Sequence, residues 1–205
     1  MTGREAVTVY ARRLVADGLV VGTAGNISVR LEDRVAITPS AVPYEELTPD
    51  RVALVALDGT VLEGDPSREV LLHLAVYGET DAGAVIHTHS PWATALACTA
   101  DGLPAVHYLV AELGGPVRVA PYATPGSEEL GRVLLPALAG RSAVLLASHG
   151  ALTIGATLEQ AYARAVLLEW LCALYARARS LGEPRLIAAA ELDRLADLVR
   201  TYRRR

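Results

Sequence analysis

No lysine occurs in the 205 residues of this chain; all 19 basic residues are arginine. That absence removes two chemistries. A Schiff base on a lysine amine is impossible, and so is the lysine of a phosphate-binding P-loop. Any carbanion must therefore be stabilised by a metal or by a cofactor not tethered to lysine. Cysteine is scarce as well. Cys98 and Cys172 are the only two, without CxxC spacing, and both read as core thiols in a reducing compartment. No stretch is long and apolar enough to span a bilayer. The first residues carry Arg4 and Glu5 and no apolar signal core, so the expected location is the cytoplasm. A net charge of −4 gives no broad basic field, which argues against nucleic-acid and membrane partners. The run Arg203-Arg204-Arg205 is too short for a nucleic-acid arm and reads as a solvated or interface-bound end. Repeats, low-complexity tracts and linkers are also missing, so residues 1–205 are expected to form one domain.

What is present alternates between strand and helix patterns. Glu5 to Ala16 has apolar positions at helical spacing, with Gly18 placed to end the helix. The Gly-rich turn Gly22-Thr23-Ala24-Gly25-Asn26 precedes strand patterns at Ile27–Leu31 and Arg34–Thr38, and Pro39–Pro43 reads as loop. A strand over Val52–Leu57 ends in the hairpin signal Asp58-Gly59. Ser67 is placed to cap a helix running to about Thr80, with Glu69 in its first turn. Strands are predicted at Ala84–Thr88, Ala105–Val110, Val117–Ala120, Ala143–Ala147 and Leu152–Ile154. Helices are predicted from Trp92, from Ser127, over Leu158–Ser180 and over Ile187–Arg200. The interleaving predicts a single three-layer α/β/α domain with a mixed sheet and helices on both faces.

Three histidines carry the chemistry. His87 and His89 lie two apart at the end of the Ala84–Thr88 strand, and residues two apart in a strand point to one side. His149 follows a second apolar run, just before Gly150. Three imidazoles with an open position describe a catalytic zinc rather than a structural one. One strand-end histidine would read as hydrogen-bonded to backbone; a same-face pair joined by a third favours a metal. Glu69 lies on the helix before the histidine strand and is a candidate ligand or general base. His73, one turn later on the same face, reads better as a buried hydrogen-bonding residue than as a fourth ligand. The turn Gly22–Asn26 offers free backbone N–H groups to an anion. Thr38 and Ser40 add hydroxyls, and Ser67 and Arg68 add a helix start and a guanidinium. Together these are the donors that a phosphomonoester needs.

At these residues the chain resembles the class II aldolase/adducin family, most closely its L-fuculose-1-phosphate aldolase branch. The matching stretches are Gly22–Arg30, Thr38-Pro39-Ser40 with Pro43-Tyr44, Ser67-Arg68-Glu69 leading to His73, His87–Ser90, His107-Tyr108, Ala120–Thr124 and His149-Gly150. They fall in family order over nearly the whole chain. The resemblance implies a largely antiparallel sheet and one Zn2+ per chain held by His87, His89 and His149. It implies Glu69 as the acid/base group, with phosphate bound by Gly25, Asn26, Thr38, Ser40, Ser67, Arg68 and nearby amides. It further implies that Tyr108 protonates an aldehyde oxygen in a neighbouring subunit's site, that Tyr202 covers the site, and that the assembly is a homotetramer. The activity implied is reversible cleavage of a ketose 1-phosphate, L-fuculose 1-phosphate or a related deoxyketose phosphate, to dihydroxyacetone phosphate and an aldehyde.

Alternatives on the same fold are a pentulose-5-phosphate 4-epimerase, a methylthioribulose-1-phosphate dehydratase and a sugar-acid phosphate decarboxylase. Epimerases of the family resemble this chain except for an aspartate-type residue where Glu69 stands. Adducin-like binding modules lack the metal site, which His87, His89 and His149 supply here. The chain departs from the branch at Arg68, where a small hydroxyl residue is usual, at Ser148, where a histidine often stands, and in the arginine tail after Tyr202. These departures bear on which sugar is bound.

Overall fold

The structure, a computed structural model, describes the backbone of residues 1–202 and the side chains of residues 1–195. The Tyr202 side chain and the arginines at 203–205 lie outside the described residues. Helix α1 (Gly3–Ala16) opens with a Thr2/Glu5 capping box and ends at Gly18, which takes a φ of 66°. Strands β1 (Asn26–Leu31), β2 (Arg34–Ile37), β3 (Ala53–Ala56) and β4 (Val61–Glu63) follow as a meander. Helix α2 (Val70–Glu79) leads into β5 (Ala84–Thr88). Helix α3 (Pro91–Ala97) leads into the short β6 (Gly102–Leu103). After a 3-10 helix at Tyr108–Leu113 come β7 (Val117–Ala120), α4 (Glu128–Leu138), β8 (Ala143–Leu146), β9 (Gly150–Gly155), α5 (Leu158–Leu181) and α6 (Ala189–Tyr202).

Among the described residues nine strands form one sheet in the order β4-β3-β2-β1-β5-β9-β8-β7-β6. Of these only β7 and β8 pair in parallel, so the sheet is mixed and largely antiparallel, as expected. Strand alternation assigns its two faces. Ala84 and Ile86 pack with α1 and α5, against Tyr10, Leu14 and Tyr162. Val85 between them packs with α2 and α4, against Leu72, Val76 and Leu134. Val144 and Leu146 share that second face, whereas Ala143 and Leu145 turn to α3 and α5. The central strands are covered on both sides and read as unbroken apolar runs. Fully buried side chains such as Ile86 and Leu134 each contribute about 1.5–3 kcal/mol by burial. This double-sided core anchors the strand ends that carry the histidines.

Three expectations are corrected. Ala105–Val110 is not a strand. The His107 ring accepts the Leu109 N–H at 3.3 Å and sets a 3-10 turn there, while β6 forms earlier and pairs Gly102 and Leu103 with β7. Helix α2 starts two residues later than predicted. The Ser67 hydroxyl accepts the Glu69 N–H at 3.3 Å in a preceding turn, so Glu69 is the N-cap rather than a first-turn residue. Cys98 is not a core thiol; it is exposed at the end of α3, and only Cys172 is buried.

Candidate metal centre and active site

His87 is the last but one residue of β5, opposite Asn26 on β1 and Leu152 on β9. It is fully buried. Its Nδ1 lies 2.9 Å from the Ala151 carbonyl. A carbonyl only accepts, so Nδ1 carries the hydrogen and Nε2 presents a bare lone pair. That Nε2 is 2.9 Å from His89 Nε2 and 3.3 Å from Glu69 Oε2. His149, in the tight turn between β8 and β9, brings its Nε2 to 3.2 Å from Glu69 Oε1. Four ligating atoms, one each from Glu69, His87, His89 and His149, all lie within 4.8 Å of one another. Glu69 Oε1 is buried without a hydrogen-bond partner. A buried carboxylate oxygen left in that state, facing imidazole lone pairs, suits a cation. Three imidazole nitrogens and a carboxylate oxygen match the donors that zinc and similar divalent ions take.

The electrostatics follow from burial and crowding. Burial pushes the Glu69 carboxyl up, but the facing His149 and His87 side chains and the Asn26 amide outweigh it and hold the group well below the usual carboxylate range. Glu69 is therefore ionised at neutral pH. Burial, followed by His87 and His149, pushes His89 down to about 4. A neutral imidazole is the form that binds a metal.

Backbone approach is tight, and two glycines permit it. A Cβ on Gly150 would sit 2.3 Å from the Thr88 carbonyl oxygen and 3.3 Å from ring atoms of both His87 and His89. A Cβ on Gly25, at φ 89°, would sit 2.8 Å from the His87 carbonyl oxygen. Ser148 adopts a φ of 53° without being glycine, and this turn is what delivers His149.

A cleft of about 550 Å3 opens beside the cluster. Gly25, Asn26, Ser40, Ser67, Arg68, Glu69, Ser148, His89 and His149 all line it, and Arg68 is the one guanidinium among the lining residues. A larger groove of about 670 Å3 between α3 and α5 contains none of the histidines. The ligating cluster, not the volume, identifies the chemical site.

Other expected residues are placed differently. Thr38 is fully buried, and its hydroxyl accepts the Ile27 N–H at 3.1 Å, so it braces β1 rather than facing the cleft. The Asn26 side chain is taken up by Glu69 Oε2 at 2.8 Å and His73 at 2.5 Å. Tyr108 is 54% exposed on the 3-10 helix, stacked near His107, and does not line the cleft of its own chain. Two supports were missed. Tyr44, buried, donates its hydroxyl to the Gly25 carbonyl at 2.7 Å and fixes the glycine turn. The Ala151 carbonyl sets the His87 tautomer. Pro43-Tyr44 stood out only as part of a family match, and a backbone carbonyl leaves no signal in sequence.

Fold and site together define a class: an α/β protein with a carboxylate-and-imidazole cluster able to hold a metal at the edge of an anion-sized cleft. The chain belongs to the class II aldolase and adducin family, whose N-terminal-domain profile matches residues 5–176. It is 41% identical over 202 residues to a 5-methylthioribulose-1-phosphate/5-deoxyribulose-1-phosphate aldolase of Rhodospirillum rubrum, covering 97% of this chain and 91% of that protein. It is 39% identical over 204 residues to a 5-deoxy-D-ribulose 1-phosphate aldolase of Bacillus thuringiensis serovar kurstaki, covering 97% and 96%. Among solved structures, an L-fuculose 1-phosphate aldolase superposes with a TM-score of 0.94 at 36% identity, covering 97% and 96%. Class II aldolases are metal-dependent, and the Glu69, His87, His89 and His149 cluster could bind a metal.

Proposed function

We propose that this chain is a zinc-dependent aldolase that reversibly cleaves a deoxyketose 1-phosphate to dihydroxyacetone phosphate and an aldehyde. The observation that carries this reading is the cluster of Glu69 and three imidazoles set in the wall of a cleft with anion donors. His87, His89 and His149 would hold about one zinc per chain. Bound there, the ion supplies a Lewis acid that takes up the negative charge developing on substrate oxygens. The full-length relatives that act on 5-deoxyribulose 1-phosphate favour a short deoxypentulose, and L-fuculose 1-phosphate is the companion candidate.

The chain's own groups supply the rest. The Gly25–Asn26 backbone, Ser40, Ser67 and Arg68 bind the phosphate and fix the register of the ketose. Arg68 gives the cleft the cation that a lysine-free chain must take from arginine, and its fork suits phosphate oxygens. As the C3–C4 bond breaks, the C4 hydroxyl gives its proton to solvent water and the aldehyde leaves. Glu69, ionised at rest, takes up a proton from solvent water and delivers it to C3, completing dihydroxyacetone phosphate. In reverse, the ionised Glu69 removes that proton and C3 attacks the aldehyde. Tyr108 is 54% exposed and serves a neighbouring subunit in a homotetramer, donating to the aldehyde oxygen. No helix among the described residues is long and apolar enough to cross a membrane, and the two free cysteines suit a reducing cytoplasm.

A panel of ketose 1-phosphates assayed for dihydroxyacetone phosphate tests the reading. Release from deoxyketose 1-phosphates is expected. Epimerised pentulose 5-phosphate, a dehydrated product or carbon dioxide, with no dihydroxyacetone phosphate from any ketose, would overturn it.

A further inference from the structure

Behind Glu69 runs a buried side-chain ladder that none of the roles above uses. Asn26 and Ser28 lie two apart on β1 and face α2. Glu69, His73 and Tyr77 lie four apart at the start and along one face of α2. Two residues of strand rise roughly 6.6 Å and four of helix roughly 6 Å, so the rows interleave nearly in step. The contacts alternate accordingly. Asn26 Nδ2 donates to Glu69 Oε2 at 2.8 Å. Asn26 Oδ1 lies 2.5 Å from His73 Nε2. His73 Nδ1 lies 2.6 Å from Ser28 Oγ, which lies 2.7 Å from the Tyr77 hydroxyl. Asn26, Ser28, His73 and Tyr77 are all buried.

One hydrogen assignment satisfies the whole ladder. A carboxylate only accepts, so the Asn26 nitrogen must face Glu69 and its oxygen must face His73. His73 Nε2 then donates, Nδ1 accepts from Ser28, and Ser28 accepts from Tyr77. We propose that His73 is the positioning residue of the site: as the neutral Nε2–H tautomer it locks the Asn26 amide, which in turn anchors Oε2 of Glu69 and leaves Oε1 for metal and proton. Burial, then the nearby His87 side chain, pushes His73 down to about 3, in keeping with a neutral ring. Without this lock the amide keeps only its bond to Glu69 and can swing with it, and Glu69 would lose its fixed aim.

The inference rests on Glu69 acting as the base, so the experiment separates the two. Nitrogen-15 NMR of the wild-type metal-loaded protein, with the His73 ring assigned by its disappearance in His73→Gln, should show a neutral Nε2–H ring. An Nδ1–H tautomer or an imidazolium at neutral pH overturns the ladder. Proton exchange at C3 of dihydroxyacetone phosphate is then measured for three proteins. His73→Leu should lower the exchange rate on the order of tenfold or more, with little change in KM because the phosphate donors are intact. His73→Gln, whose amide can donate to Asn26 and accept from Ser28, should recover most of the rate. Ser28→Ala provides a second break and should fall between them. Unchanged exchange in His73→Leu, or equal losses in the Leu and Gln variants, overturns the positioning role. A wild type without any exchange overturns the base assignment itself, and this inference with it.

Discussion

At the scale of single residues, the site turns on the different duties of Glu69 and His87. His87 is fixed by the Ala151 carbonyl and fully buried, so its Nε2 cannot be replaced by a neighbour. His87→Ala is expected to lose the bound metal; elemental analysis that still finds about one ion per chain would count against the ligand assignment. Glu69→Gln keeps a carbonyl oxygen for the Asn26 amide but loses the proton-accepting charge. It should retain metal while proton exchange on dihydroxyacetone phosphate drops by about 10²–10⁴, the usual weight of a general base. An unchanged rate in that variant would move the base elsewhere. The histidine pair was legible because strand alternation is local: His89 follows β5 by one residue, and the extended chain there keeps it on the side of His87. The job of Asn26 was not. Its amide points at Glu69 only because β1 and α2 are stacked in one particular register, and sequence does not contain that register. Thr38 shows the same limit. A hydroxyl beside the Pro39–Pro43 loop suited an anion, but just past the end of β2 it turns inward onto Ile27.

At the scale of elements, the site is a meeting of backbones as much as of side chains. The β5–β9 pairing brings Gly150 against Thr88 so closely that a methyl group would lie 2.3 Å from a carbonyl oxygen. Gly150→Ala must part the strands, and over-filled sites typically cost about 1–3 kcal/mol. A lower unfolding midpoint together with weakened metal binding is expected; an unchanged midpoint would mean that the turn yields elsewhere. The α2–β1 ladder makes a pH prediction. His73 is held neutral in the fold, pushed down to about 3, whereas in the unfolded chain it takes a proton near pH 6.5. The unfolded state therefore binds more protons between those values, and stability falls as pH drops from about 6.5 towards 3, by up to about 1.4 kcal/mol per unit from this group. Above pH 6.5 its contribution is constant. Urea denaturation of chelator-treated protein at pH 7 and pH 5 should show a smaller loss in His73→Gln than in the wild type, and equal losses would refute the buried neutral ring. Most elements were legible because the sheet is covered on both faces and its strands read as apolar runs. The stretch after Pro104 misled, because its apolar residues are buried as the wall of a 3-10 turn capped by His107 rather than as a strand.

At the scale of the molecule, the chain carries aromatic surface that its own core does not cover. Tyr108 packs near His107, and His107 meets Trp170 edge-on with ring centroids 5.0 Å apart. Trp170 is 44% exposed and Trp92 40%. Large aromatics are favoured at contacts between proteins because they bury much area with little side-chain entropy. In the proposed homotetramer this face would lie against the neighbouring chain, which would bring Tyr108 to a site it cannot serve at home. Sedimentation of the purified protein should then give about four times the 21.7 kDa chain mass. Both tryptophans of the chain are partly exposed, so their emission should lie toward the blue in the assembly and shift red on dissociation. Tyr108→Ala should lower cleavage in the assembled enzyme while leaving zinc content and C3 proton exchange intact, because its proposed role is at the aldehyde oxygen, whereas exchange at C3 of dihydroxyacetone phosphate needs only Glu69. A monomer that retains full cleavage activity would sever Tyr108 from the reaction and leave the Glu69, His87, His89 and His149 cluster to act within one chain.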